Sequence, residues 1–134
     1  MTWYIYDELG TPQRLVFDQL LKFLSSLPMV SKSCAVCRAE GYGVEICDLD
    51  DAIQLNGANV NIEIEDLLRI ANDKNQWFYD LDCYDENSGI RFGLHDSTCL
   101  FLEKATDELD LEIKLNFTHV VFDENDHPRF PANI

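Results

Sequence analysis

Apolar residues recur at steps of three and four from Val16 through Leu20, Phe23 and Leu24 to Leu27. Gln13, Arg14, Asp18, Gln19, Lys22, Ser25 and Ser26 take the opposite side. That spacing is helical. It predicts an amphipathic helix over about residues 12–27, with Thr11 as N-cap, Pro12 in the first turn and Pro28 forbidding continuation. Asp18 and Lys22 lie four apart and are placed to pair across one turn. Ahead of the helix, Trp3-Tyr4-Ile5-Tyr6 is aromatic and β-prone, and Gly10-Thr11-Pro12 closes it off. A short first strand is predicted there.

The next stretch has shorter periods. Cys34-Ala35-Val36-Cys37-Arg38 and Tyr42-Gly43-Val44-Glu45-Ile46-Cys47 flank Glu40-Gly41, which reads as two short strands around a tight turn. Asp48 is placed to cap a helical turn through Leu49–Leu55, with Gly57 closing it. Val60, Ile62 and Ile64 alternate with Asn59, Asn61 and Glu63, as in a half-buried strand. A second, shorter helix is expected over about residues 65–73, with Glu65 and Arg69 four apart, although a start at Asn61 fits the pattern too.

The C-terminal half alternates with period two. Trp77, Tyr79, Leu81 and Cys83 fall on one face of a strand; Phe78, Asp80, Asp82 and Tyr84 fall on the other. Residues 85–89 have turn chemistry. Ile90, Phe92 and Leu94 make the next strand, and His95-Asp96-Ser97-Thr98 the next turn. Cys99-Leu100-Phe101-Leu102 is apolar on both faces, as a central strand would be. Leu111, Ile113, Leu115 and Phe117 alternate with Glu112, Lys114 and Asn116, predicting a strand that continues through residues 118–122 with a bulge. The tail from His127 to Pro131 is unsuited to a sheet interior. The fold class expected is α+β: a mainly antiparallel sheet with the two helices packed on it, in a single domain of residues 1–134.

Charge adds the sharpest functional constraint. There are 25 Asp and Glu against 10 Lys and Arg, a formal net charge of -15. A free nucleic-acid backbone is a poor ligand for such a chain, because phosphate binding needs cations to release counterions. A basic protein partner fits it. With 46% hydrophobic and 11% aromatic residues, the acidity belongs to a folded body and not to a disordered tract. The N-terminal residues have no basic and apolar signal pattern, and no apolar run approaches a membrane span, so the cytoplasm is the expected compartment.

Catalytic and metal motifs are incomplete. Cys34-x-x-Cys37 with Cys47 lacks the second ligand pair a structural zinc wants, and in a strand Cys34 and Cys37 would face opposite ways. Five cysteines, an odd number, read as free thiols acting as small apolar groups. His95, His119 and His127 have no metal-binding spacing, and His95-Asp96-Ser97 cannot form a triad from adjacent residues. Asp48-x-Asp50 and Asp80-x-Asp82 open like calcium loops, but Ile53 and Asp85 stand where such a loop needs glycine. A paired-carboxylate glycosidase has little room in a chain of this size. No cofactor, metal or enzymatic activity is expected, and an enzyme built on Cys34, Cys37 and a histidine is the least favoured reading.

Two stretches lack any cation. Between Arg38 and Arg69 lie Glu40, Glu45, Asp48, Asp50, Asp51, Glu63, Glu65 and Asp66; between Lys74 and Arg91 lie Asp80, Asp82, Asp85 and Glu86. Ordinary surfaces intersperse both signs. The expected partner-binding residues are Asp80, Asp82, Tyr84, Asp85 and Glu86, with Asp48, Asp50 and Asp51 as a second patch. Aromatic rings among carboxylates suit Lys and Arg side chains, while Phe78 is expected to pack under a helix.

In size, strong negative charge, mixed helix and sheet pattern and lack of catalytic motifs, the whole chain resembles the immunity proteins of bacterial toxin systems, including contact-dependent inhibition. The resemblance is of type, and no motif is matched residue by residue. It implies a cytoplasmic protein that neutralises a basic toxin or nuclease domain by tight binding. The alternative is a regulatory or assembly module acting through protein or homodimer contacts, for example at an exposed sheet edge.

Overall fold

The computed structural model describes residues 2–5, 13–95, 99–103, 107–118 and 120–123 of the 134. The elements are β1 (Thr2–Ile5), α1 (Gln13–Ser25), β2 (Ser33–Tyr42), α2 (Val44–Asn56), β3 (Val60–Glu63), α3 (Ile64–Asn72), β4 (Trp77–Tyr84), β5 (Arg91–His95), β6 (Cys99–Glu103), α4 (Asp107–Asn116) and β7 (Val120–Asp123). The strands form one seven-stranded sheet in the order β3-β2-β4-β5-β6-β1-β7, and every pairing is antiparallel. The fold is α+β.

Side-chain alternation divides the sheet into two faces. Trp3, Ile5, Val36, Leu81, Cys83, Phe92, Leu94, Leu100 and Leu102 point into one core with buried residues of all four described helices. Tyr4, Cys99 and Phe101 point the other way and form a small cluster with Val121. The strand expected to be apolar on both faces is β6, which lies between β5 and β1. Phe17, Leu20, Leu21 and Leu24 of α1 are buried, and Asp18 pairs with Lys22 at 2.8 Å. The proposed caps Thr11 and Pro12 and the tail 127–131 lie outside the described residues, as do residues 96–98 of the expected turn.

Three expectations fail, each for a definable reason. Residues 34–47 are not a hairpin around Glu40-Gly41; β2 runs straight through as a ten-residue strand. Gly41 is needed because a Cβ there would overlap the carbonyl oxygen of Trp77 on β4. It marks a close approach of two backbones, which also selects glycine. The chain turns instead at Gly43, whose φ of +118° disfavours L side chains, and α2 starts at Val44, ahead of Asp48. The Gly57 C-cap stands as expected, in the left-handed region at φ 61°.

Residues 111–117 are not a strand. They fall mostly in α4, where Leu109 and Ile113 are buried, as is Phe117 just beyond its end, while Leu111 and Leu115 face solvent. A spacing of four satisfies an alternating pattern and a helical one alike. The Trp3 indole donates to Asp110, and Lys114 Nζ lies 5.6 Å from the Trp3 ring, so α4 is held on β1. The β1–β7 register then runs without a slip from Ile5↔Val120 to Thr2↔Asp123, so the bulge expected near 118–122 is not in that pairing.

The faces of β4 are the third correction. Phe78 enters the core with Leu81 and Cys83, whereas Tyr79 is exposed. The β2–β4 register slips twice, passing over Cys37 on one strand and Tyr79 on the other. Each bulge reverses which side chains face inward. Phe78 then stacks on Phe17 of α1, with ring centroids 5.9 Å apart. No helix among the described residues is long and apolar enough to cross a membrane.

Candidate interaction surface

The outward sheet face carries a ladder of charges across four strands. Arg38 Nε lies 3.1 Å from Glu40 Oε1, and Arg38 Nη2 lies 3.6 Å from Asp80 Oδ2. Arg91 donates to both Asp82 oxygens at 2.7 and 2.6 Å and to Glu103 at 2.7 Å. Its guanidinium sits 5.2 Å from the Phe101 ring centroid. Hydrogen bonding to Asp82 raises the Arg91 pKa, as Glu40 and then Asp80 do for Arg38. His95 Nδ1 is 3.8 Å from Asp80 Oδ1. Beside the ladder lies a hollow of about 310 Å³ lined by Thr2, Tyr4, Arg38, Arg91, His95, Phe101 and Glu103.

This arrangement changes the expectation for residues 80–86. In sequence they lie in a gap without cations; in space Arg38 from β2 and Arg91 from β5 flank them. Asp80 and Asp82 are therefore partly neutralised, not a single-sign patch. Among the described residues four carboxylates (Glu40, Asp80, Asp82, Glu103) meet two guanidiniums (Arg38, Arg91). Tyr84 is half-buried and Glu86 exposed.

Asp85 faces inward. It is 0% exposed, its oxygens accepting hydrogen bonds from the Ser31 amide, the Ser88 amide and the Ser88 hydroxyl. It joins the loop before β2 to the turn after β4 and presents no carboxylate to a partner. Asx-type capping of a turn, ordinarily a surface device, is here enclosed.

The second patch lies on the helix-covered side. Ile46 and Leu49 of α2 enter the core, which leaves Val44, Cys47, Asp48, Asp51 and Leu55 on the solvent side. Val44 is 77% and Leu55 87% exposed. No Lys or Arg occurs on α2. Asp50 is half-buried and accepts from Gln54 at 3.2 Å. The two expected patches thus do not merge: one is on the outer sheet face and the other on a helix across the sheet.

The start of α2 is fixed by Gln76, a nearly buried residue before β4. Its Oε1 accepts from the Ile46 amide at 3.1 Å and its Nε2 donates to Glu45 at 2.7 Å. Glu45 also pairs with Arg69 of α3 at 2.7 Å; Arg69 and then Gln76 hold its carboxyl below the usual range. Arg69 therefore meets Glu45 and Asp66, not Glu65 as the helical spacing suggested. Gln76→Ala leaves the buried Ile46 amide unpaired, and urea unfolding is expected to show a loss of about 1–2 kcal/mol. A change below the measurement error would remove Gln76 as the anchor of α2.

Cys34 and Cys83 are buried and Cys37 is exposed. Partial desolvation, and next the Asp82 charge, push the exposed Cys37 thiol up; burial, then the neighbouring Cys34, push Cys83 up. Raised thiols are poor nucleophiles. Among the described residues no three His, Cys, Asp or Glu side chains converge as a metal site. Tyr42 and Tyr79, which sequence reasoning did not select, form an exposed ring pair at the end of β2 and near the start of β4. No alternating pattern marks them, since the Tyr79 bulge arises only on pairing. No protein-family model matches the chain, and comparison with curated proteins and with solved structures finds no significant match.

Proposed function

We propose that the protein is an acidic cytoplasmic binding protein that neutralises a basic toxin or nuclease domain by tight protein–protein contact, without catalysis of its own. The observation that carries this reading is the solvent face of α2, where Asp48 and Asp51 stand between bare Val44 and Leu55 with no cation on the helix. Apolar side chains give such a surface contact area, and its carboxylates, paired with no cation among the described residues, steer a basic partner towards it. The outer-face carboxylates are braced by Arg38 and Arg91 and add a weaker field of the same sign.

The direct test is co-expression with a basic domain encoded beside the gene, scored as rescue of growth, with stopped-flow association of the purified pair. D48K/D51K is expected to slow association about tenfold at low salt and to flatten its salt dependence. An unchanged on-rate would remove α2 as the docking surface. A regulatory or assembly role is favoured by one observation, the exposed Leu111 and Leu115 on α4. Light scattering separates the two, because a tight homodimer of the pure protein supports assembly and a monomer supports inhibition.

A further inference from the structure

The exposed aromatic pair presents two tilted tyrosine rings to solvent beside a pair of carboxylates. The slip between Glu40↔Asp80 and Gly41↔Phe78 leaves Tyr79 as an extra residue on β4 and puts it outside. Tyr42 is the last residue of β2. Their ring centroids are 6.4 Å apart with planes tilted by 56°, and the residues are 50% and 46% exposed. Neither residue sits on a loose backbone. Gly41 lies against the Trp77 backbone, and a Cβ on Gly43 would press on the Gln76 side chain that anchors α2. Fixed aromatic rings lose little freedom on binding and make good anchors.

The charges beside the pair select the ligand. Glu40 and Asp80 are register partners one step along the same strands, and Arg38 touches both. Among the described residues that end of the face carries two carboxylates beside the Arg38 guanidinium, with His95 3.8 Å from Asp80. Guanidinium stacks on aromatic rings and forks onto carboxylates, whereas ammonium is a compact and strongly hydrated charge. The same face already holds one such contact internally, Arg91 over Phe101 with Asp82 and Glu103 at its edge.

We infer that Tyr42 and Tyr79 receive an arginine side chain of the partner protein, with Glu40 and Asp80 at the rim. This rests on the reading that the partner is basic, and it adds a residue type and a second place of contact, apart from the face of α2. The probes are two capped hexapeptides of equal charge, one with arginine and one with lysine at the same positions, titrated while the tyrosine ring resonances are followed by NMR.

The wild type is expected to bind the arginine peptide about threefold or more tighter than the lysine peptide, with shifts at both rings. Y42A/Y79A is expected to equalise the two peptides, and Y42F/Y79F, which keeps the rings, to retain the preference. Equal affinities in the wild type, a preference surviving in Y42A/Y79A, or unmoved ring resonances would each overturn the assignment. D48K/D51K is expected to weaken both peptides alike and to leave their ratio unchanged. The two readings therefore fail separately: loss of the ratio removes the arginine site, whereas an on-rate for the basic domain that ignores D48K/D51K removes the α2 surface.

Discussion

Gly93→Ala is expected to lower the unfolding midpoint by roughly 10 °C, from a loss of about 3 kcal/mol or more. Gly93 lies in the middle of β5, paired with Asp82 on one side and Phe101 on the other. A Cβ there would overlap the carbonyl oxygen of Leu81 and stand 3.1 Å from a ring carbon of Phe101. The first obstacle is backbone, so no rotamer relieves it. Relief requires β4 and β5 to move apart, which loosens the Leu81↔Leu94 pairing and tilts the Arg91–Asp82 fork. Gly57→Ala is the control. Among the described residues nothing lies within 4 Å of where an added Cβ would stand, so only the left-handed φ is penalised, at about 1 kcal/mol. Thermal circular dichroism on both variants checks this, and a Gly93→Ala midpoint within about 2 °C of wild type would show that the strands are not packed as described.

Asp85→Ala is expected to cost about 3 kcal/mol at neutral pH, because three donors lose a charged acceptor inside the protein. The effect depends on pH. Burial pushes the Asp85 carboxyl up, but hydrogen bonds from Ser88 and Ser31 outweigh it and the net shift is downward from 3.8. A carboxyl with a depressed folded pKa contributes stability that is fully present above its ordinary value and lost as pH falls through the folded one. The gap between wild type and Asp85→Ala should therefore be full at pH 7 and narrow below pH 3.8, towards the depressed value. Urea unfolding at several pH values measures it. A gap independent of pH would mean that the carboxylate charge is not what Ser31 and Ser88 hold.

These outcomes also separate stability from recognition. Asp85 shares with Asp80 and Asp82 a stretch of sequence without cations. The tertiary structure gives them different tasks: one holds two loops together inside, and the others brace guanidiniums outside. Composition along the chain has no term for either. Arg38 lies 42 residues before Asp80 in sequence but one strand away in space. Antiparallel pairing routinely brings such distant charges together, so a gap in sequence is weak evidence for a field in space.

Local pattern was informative where one period was unambiguous. α1 alternates at 3.6 residues with strong polar contrast, and its placement follows. Gly57 ends α2 because its left-handed conformation has a chemical signature. The pattern misled where two causes share a sign. Gly41 looked like a turn because glycine serves tight turns and tight strand contacts equally. Leu111, Ile113, Leu115 and Phe117 looked like a strand because Ile113 and Phe117, which the helix buries, are also an even number of residues apart.

From composition and periodicity alone came an α+β chain with surplus carboxylate, an amphipathic helix near the start and apolar strands near the end, since these rest on contacts within a few residues. Pairing decided the rest. The β2–β4 slip at Tyr79 put Phe78 inside and Tyr79 outside, Arg38 and Arg91 arrived beside Asp80 and Asp82, and Asp85 was enclosed. Register is a long-range property, and a one-residue slip sends every following side chain to the opposite face.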